Sequence, residues 1–100
     1  MRVRGIRGAT QLEADSSAEM IDAVSQLLSE MLSANGVKTD DLISIILTST
    51  PDLTSEFPAV AARKIGLGSV PLLCAVEIDV KGSLSKVVRV LMHAHLDRDL

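Results

Sequence analysis

One long amphipathic helix constrains this chain more than any other feature. Ser16 and Glu19 have the spacing of a capping box, and Asn35-Gly36 is a typical helix stop. Between them, apolar side chains recur every three or four residues and form one stripe: Met20, Ile21, Val24, Leu27, Leu28, Met31 and Leu32. The pattern predicts a helix near residues 17–34, and its apolar side must be covered by another element.

Strands are the expected cover for this helix. Alternating and β-branched residues predict four of them, at 2–7, 42–50, 70–78 and 86–95. The segment 42–50 is a continuous apolar run, and we expect it to be buried on both faces. A short helix near 57–65 separates the second strand from the third. The order predicts a mixed α+β fold with a small sheet, one long and one short helix, in a single domain of residues 1–100.

Composition excludes several classes of protein. Acidic residues number 13 and basic residues 10, so the net charge of -3 argues against a general nucleic-acid binder. Phe57 is the only aromatic residue, which leaves almost nothing for stacking on bases. No apolar stretch approaches the roughly 18 residues of a membrane span, and the charged start is unlike a signal peptide. With Cys74 as a lone thiol, we expect a soluble cytoplasmic protein without a membrane partner.

Arginine placement is the most informative chemical feature. Arg7 ends the first strand, and Arg89 lies in mid-strand between Val87 and Leu91. A guanidinium on a mostly apolar face is costly unless it meets an anion, and it matches a carboxylate in bidentate fashion. The placement indicates a pocket for a small carboxylate or phosphate. Structural salt bridges with Glu77 or Asp79, or an exposed sheet face, are the alternatives.

Two residues of the third strand bear on such a pocket. Glu77 can orient an arginine or accept a substrate hydroxyl, or it can be a solvated strand end. Cys74 has no histidine in a motif relation to it, which favours a small apolar role over a nucleophilic one. Strict alternation places Cys74 and Glu77 on opposite faces, so one pocket could use both only at a bulge or a strand end.

Three possible metal ligands lie near the end of the chain. His93, His95 and Asp97 share a strand face at a spacing of two residues, as in a three-ligand array. Such spacing is common by chance, and the strand end is prone to fraying. We therefore expect no metal at these residues.

Separate blocks of the sequence follow the order of one enzyme family. They are Arg4-Gly5-Ile6-Arg7-Gly8-Ala9-Thr10, Thr50-Pro51-Asp52-Leu53, Phe57-Pro58-Ala59, Val70-Pro71, Cys74, Glu77, Asp79-Val80, Gly82, Leu84 and Arg89-Val90. With these blocks the chain resembles the AroH-type chorismate mutases, which are homotrimers with a pseudo-α/β-barrel fold. The resemblance implies the Claisen rearrangement of chorismate to prephenate in aromatic amino acid biosynthesis, with no cofactor, metal or covalent intermediate.

The resemblance also implies roles for individual residues. By matching position, Arg89 would donate to the ether oxygen of chorismate, and Arg7 would bind a carboxylate. Glu77 would contact the substrate hydroxyl and order the arginines. Phe57 and Arg63 would come from the neighbouring subunit and close the pocket. The other substrate contacts implied in this way are Ala59, Leu72, Leu73 and Cys74.

Three departures from the family pattern stand out. Val60 replaces a basic residue, Leu73 replaces a small polar one, and the chain ends at Leu100, before the strand and tail that bring a tyrosine and an arginine to the site. We therefore expect a C-terminally shortened chorismate mutase with a wetter site and reduced activity. A non-catalytic trimer that binds a carboxylate metabolite is the alternative. A trimeric imine deaminase is a third possibility, against which the matching blocks argue.

Overall fold

The computed structural model describes residues 2–97, so Met1 and residues 98–100 lie outside the described part. Its regular elements are β1 (Arg2–Gln11), α1 (Ser17–Asn35), a short 3₁₀ turn (Thr39–Asp41), β2 (Leu42–Ser49), α2 (Ala59–Lys64), β3 (Leu72–Val76) and β4 (Val87–Leu96). No helix within residues 2–97 is long and apolar enough to cross a membrane.

The four strands form one sheet in the order β1-β4-β2-β3. β4 runs antiparallel to both of its neighbours, whereas β2 and β3 are parallel and are joined through α2. The predicted mixed α+β fold, with a small sheet, one long helix and one short helix, is confirmed.

Helix α1 has the predicted position, with a difference at its start. The Ser16 hydroxyl accepts the Glu19 N–H at 3.1 Å, as a cap should. The Glu19 carboxylate does not complete a capping box, because it accepts the N–H groups of Glu13 and Ala14 instead. At the other end, Gly36 has a φ of 63°, and its N–H satisfies the last carbonyls of the helix.

The core lies between the helices and one face of the sheet. Its largest fully buried side chains are Met20, Val24, Leu28, Ile45, Leu47, Leu67, Val88 and Met92. Gly8 lets α1 approach β1, because a Cβ at this position would lie 2.6 Å from Met31 Sδ and 3.0 Å from Leu27 Cδ1. The aliphatic core expected from the composition is therefore assembled by close helix-to-sheet packing.

The other side of the sheet is covered by neither helix, and we call it the open face. It carries Val3, Gly5, Arg7, Ala9, Ser44, Ile46, Thr48, Leu73, Ala75, Arg89, Leu91, His93 and His95. The prediction that β2 is buried on both faces is wrong within one chain, because Ser44, Ile46 and Thr48 on this side are only half-buried. β4 presents Val88, Val90, Met92 and Ala94 to the core and its odd-numbered residues from Arg89 to His95 to the open face.

Three element boundaries differ from the predictions. β1 continues to Gln11, because β4 pairs with it along its whole length. β3 ends at Val76, next to the end of its partner β2, which leaves Glu77 just outside the strand. α2 begins at Ala59 rather than at Phe57, with Pro58 at its N-cap.

Candidate active site

A charged cluster occupies the centre of the open face near the end of β3. The register of β2 and β4 sets Thr48 opposite Arg89. Arg89 Nε lies 2.9 Å from Glu77 Oε1, and the Thr48 hydroxyl donates to the same oxygen at 2.7 Å. The Glu77 N–H donates to the Ser49 carbonyl at 2.9 Å. Arg89 of β4, Thr48 of β2 and Glu77, which directly follows β3, are thus linked by hydrogen bonds, and we call them the Arg89 cluster.

The two charged groups of the Arg89 cluster differ in exposure. The Glu77 side chain is 18% exposed, whereas that of Arg89 is 56% exposed. A guanidinium has five N–H donors, and Arg89 meets Glu77 Oε1 through Nε. The exposed part of the Arg89 guanidinium can donate to an acceptor from outside the cluster.

Arg7 and Arg89 line one cleft of about 670 Å³ on the open face. Arg7 pairs with Leu91 in the register of β1 and β4, so the two arginines are diagonal neighbours, about 7–8 Å apart between Cα atoms. Ile46 and Leu91 also line the cleft and make part of its wall apolar. Two cations beside apolar surface suit a compact organic anion with more than one carboxylate.

Arg7 adds a positive charge to the cleft, and its balance can be judged within residues 2–97. Among residues 2–97 we find no carboxylate paired with Arg7, whereas Arg89 is paired with Glu77. The cleft therefore keeps a net positive character in a chain whose overall charge is -3. An anionic ligand is attracted to such a site despite the acidic composition.

Phe57 and Cys74 line a second cleft, of about 330 Å³. The Phe57 ring is 68% exposed. Cys74 is half-buried and packs against the core, whereas Glu77 belongs to the Arg89 cluster. As alternation predicts, Cys74 and Glu77 therefore lie on opposite sides of the sheet.

The remaining predicted contacts have different surroundings. Ala59 is buried at the start of α2, so any contact with substrate falls to its main chain. Arg63 is exposed in the last turn of α2. Leu72 packs partly against the core, and Leu73 is 60% exposed on the open face.

Within one chain, the predicted site residues thus form two separate groups. Arg7, Arg89 and Glu77 lie on the open face, whereas Phe57 and Cys74 line the second cleft. The prediction that Phe57 and Arg63 act in the site of a neighbouring subunit stays a prediction.

Thr48 is a site residue that the sequence interpretation missed. The apolar run 42–50 predicts a strand buried on both faces, and such a strand gives its hydroxyl groups no role. A signal was present, because Ser44 and Thr48 are polar residues that share one face with Ile46 in an otherwise apolar strand. Two hydroxyls at such a spacing predict polar partners on the neighbouring strands.

One of the two histidines of β4 contacts a hydroxyl group on the neighbouring strand. His93 Nδ1 lies 3.3 Å from the Ser44 hydroxyl. Across the described part of the chain, no three His, Cys, Asp or Glu side chains are grouped so that they could hold a metal.

A carboxylate binds the main chain at Lys86, which directly precedes β4 and lies three residues before Arg89. Asp52 accepts the Thr50 hydroxyl and the Lys86 N–H, and the Thr50 hydroxyl in turn accepts the Val87 N–H at 3.0 Å. Lys86 has a φ of 55°, which is unusual for a residue with a side chain. The hydrogen bond from Thr50 is the main cause that lowers the pKa of Asp52 below 3.8, because it favours the ionised carboxylate.

The chain belongs to the chorismate mutase type I family, whose sequence model matches residues 3–100. It is 52% identical over 90 residues to chorismate mutase AroH of Thermus thermophilus, a match that covers 89% of this chain and 74% of the relative. It is 42% identical over 98 residues to chorismate mutase AroH of Bacillus subtilis, covering 97% and 77% of the two chains.

A solved structure agrees with these relatives. The chorismate mutase from Clostridium thermocellum is 48% identical and superposes with a TM-score of 0.94, over 96% of this chain and 86% of that one. The resemblance drawn from the sequence blocks is therefore confirmed, and a non-catalytic binding protein is not favoured.

Proposed function

We propose that this chorismate mutase, an isomerase, rearranges chorismate to prephenate in the cleft lined by Arg7 and Arg89, as part of a homotrimer in the cytoplasm. The observation that carries the proposal is the Arg89 cluster. It holds Arg89 by one nitrogen and leaves the other donors beside a cleft that Arg7 makes positive.

The reaction asks little covalent chemistry of the protein. In the Claisen rearrangement of chorismate, the ether C–O bond breaks while a C–C bond forms within the same molecule. The protein must hold the compact conformer in which the reacting carbons meet, and must stabilise negative charge that grows on the ether oxygen. Fixed guanidinium groups can do both.

Each charged residue of the cleft has a proposed task. The Nη donors of Arg89 stabilise the ether oxygen, and Arg7 binds a substrate carboxylate. Glu77 Oε1 is already used by Thr48 and Arg89, which leaves Oε2 to accept the substrate hydroxyl. With Arg89 prearranged, the charge is stabilised without reorganisation during the reaction.

The homotrimer is proposed from the state of the open face. Half-buried Ile46 and Leu91 lie there beside the more exposed Val3 and Leu73, at 56% and 60% exposure. Neighbouring subunits that cover this face would bury apolar area. They would also supply Phe57 and Arg63. Ala59, Leu72, Leu73 and Cys74 are the other proposed substrate contacts.

Replacement of Arg89 tests this proposal. Arg89→Ala removes the donors to the ether oxygen, so the transition state should lose about 3 kcal/mol of stabilisation. The value of kcat/KM should therefore fall by about two orders of magnitude. The assay follows the ultraviolet loss of chorismate. Arg2→Ala is the matched control, since it removes the same charge from β1 on the side opposite Arg7.

Two results would overturn the proposal. Purified wild-type protein that gives no prephenate above the uncatalysed rate contradicts the activity. An Arg89→Ala variant as active as Arg2→Ala contradicts the role of Arg89.

A further inference from the structure

We infer that Thr48 is a positioning residue of the reaction, which orients Arg89 through the carboxylate of Glu77. The inference rests on the proposed role of Arg89 and adds to it a residue that need not touch the substrate. Its basis is the single oxygen, Glu77 Oε1, that accepts both the Thr48 hydroxyl at 2.7 Å and Arg89 Nε at 2.9 Å.

Thr48 is the most firmly placed member of the Arg89 cluster. It lies in β2, paired with Arg89 of β4 on one side and with Ala75 of β3 on the other. A threonine in a strand has few side-chain rotamers, so its hydroxyl has a well-defined position. Its single proton is given to Glu77, which makes the hydroxyl an anchor for that carboxylate.

Arg89 depends on such an anchor. Its side chain is long and 56% exposed, so packing alone does not choose one rotamer. The hydrogen bond from Nε to Glu77 selects one rotamer, because it directs the opposite edge of the planar guanidinium away from the carboxylate. Glu77 can orient the Arg89 guanidinium only if the Glu77 carboxylate is itself held in place. Because Glu77 follows the end of β3 rather than lying within the strand, the strand alone does not hold it.

The consequence for catalysis is a loss of preorganisation when the hydroxyl is removed. Thr48→Val keeps the shape and the β-branch, and both arginines keep their charge. Glu77 then gains rotational freedom, and Arg89 must be ordered during the reaction. The change should therefore lower kcat and leave KM nearly unchanged, since Arg7 still binds the carboxylate.

The test compares Thr48→Val with Thr48→Ser and with Ser44→Ala. We expect kcat to fall about tenfold in Thr48→Val, in proportion to the loss of a hydrogen bond to a charged group. Thr48→Ser keeps the hydroxyl and should retain most of kcat. Ser44→Ala is the matched control on the same strand and face, because its hydroxyl pairs with His93 outside the cluster.

A double-mutant cycle shows whether Thr48 acts through Glu77. In a Glu77→Ala background, Thr48→Val should cause no further loss of kcat, because its acceptor is gone. Additive losses would contradict the inference, and so would equal losses in Thr48→Val and Thr48→Ser, which would indicate packing. Arg89→Ala is assayed in parallel. If it is impaired while Thr48→Val is not, the inference fails and the proposed function stands; if neither is impaired, the proposed function itself fails.

Discussion

Gly8 occupies a position on β1 where any side chain would meet helix α1. The Cβ of an alanine there would lie within 3.0 Å of side-chain atoms of Leu27 and Met31. Both must move to admit it, so Gly8→Ala should lower the free energy of unfolding by about 1–3 kcal/mol.

Gly5→Ala is the matched control for this prediction. Gly5 lies on the same strand, where a new Cβ would be 3.6 Å from Leu91 Cδ1, an ordinary contact. Denaturant unfolding of the two variants measures the difference. Equal unfolding free energies for Gly8→Ala and Gly5→Ala would contradict the close packing of α1 on β1.

At the scale of elements, the link between the end of β2 and the start of β4 should depend on pH. Asp52 accepts the Lys86 N–H in its ionised form, and its pKa lies below 3.8. A depressed pKa contributes stability that is present above 3.8 and is lost as the pH falls through the lower, folded-state value. Asp52→Asn should therefore lower Tm at about pH 7, and the gap from wild type should narrow in acid.

The control for Asp52→Asn is the replacement of a carboxylate that does not connect two strands. Asp22→Asn changes an exposed residue of α1 and should leave Tm close to wild type throughout the titration. A gap between wild type and Asp52→Asn that stayed constant down to strongly acidic pH would contradict the role given to the ionised carboxylate.

The elements differ in how far the sequence could predict them. Helix α1 followed from periodicity and from local signals at Ser16 and Gly36, which act within the helix itself. The end of β1 did not, because Gly8-Ala9-Thr10 has the composition of a strand end while pairing with β4 continues to Gln11. Strand length there depends on a partner about 80 residues away in the sequence, which no local pattern contains.

The same distinction applies to the candidate site. The residue pattern predicts Arg89 on a mostly apolar strand face and Arg7 at a strand end, and the structure brings them to one cleft because β1 and β4 are neighbours. The link from Thr48 to Glu77 depends on the register of β2 with β3 and on where β3 ends. Those two facts are set by tertiary pairing, so the residue patterns of the individual strands could not supply them.

At the scale of the whole molecule, a site shared between subunits can be tested by mixing two inactive variants. If Arg89 and Arg63 of one site come from different subunits, Arg89→Ala and Arg63→Ala homotrimers should each be nearly inactive. After subunits are exchanged, about one quarter of the sites in random mixed trimers should contain both arginines. Activity should therefore rise on mixing, with light scattering to confirm the trimer.

The mixing experiment has its own control and contradiction. Arg89→Ala mixed with itself under the same exchange conditions should gain nothing. A mixture of the two variants that exchanges subunits and still gains no activity would contradict a site shared between subunits, as would a fully active monomer.

The exposed ring of Phe57 has a practical consequence for measurement. It is the only aromatic residue of a chain without tryptophan or tyrosine. The protein is therefore almost transparent in the near ultraviolet, where the consumption of chorismate is followed, and high enzyme concentrations will not obscure the signal. In a magnetic resonance spectrum, the single benzyl ring can test the proposal that Phe57 closes the site of a neighbouring subunit, because ligand binding there should shift its resonances.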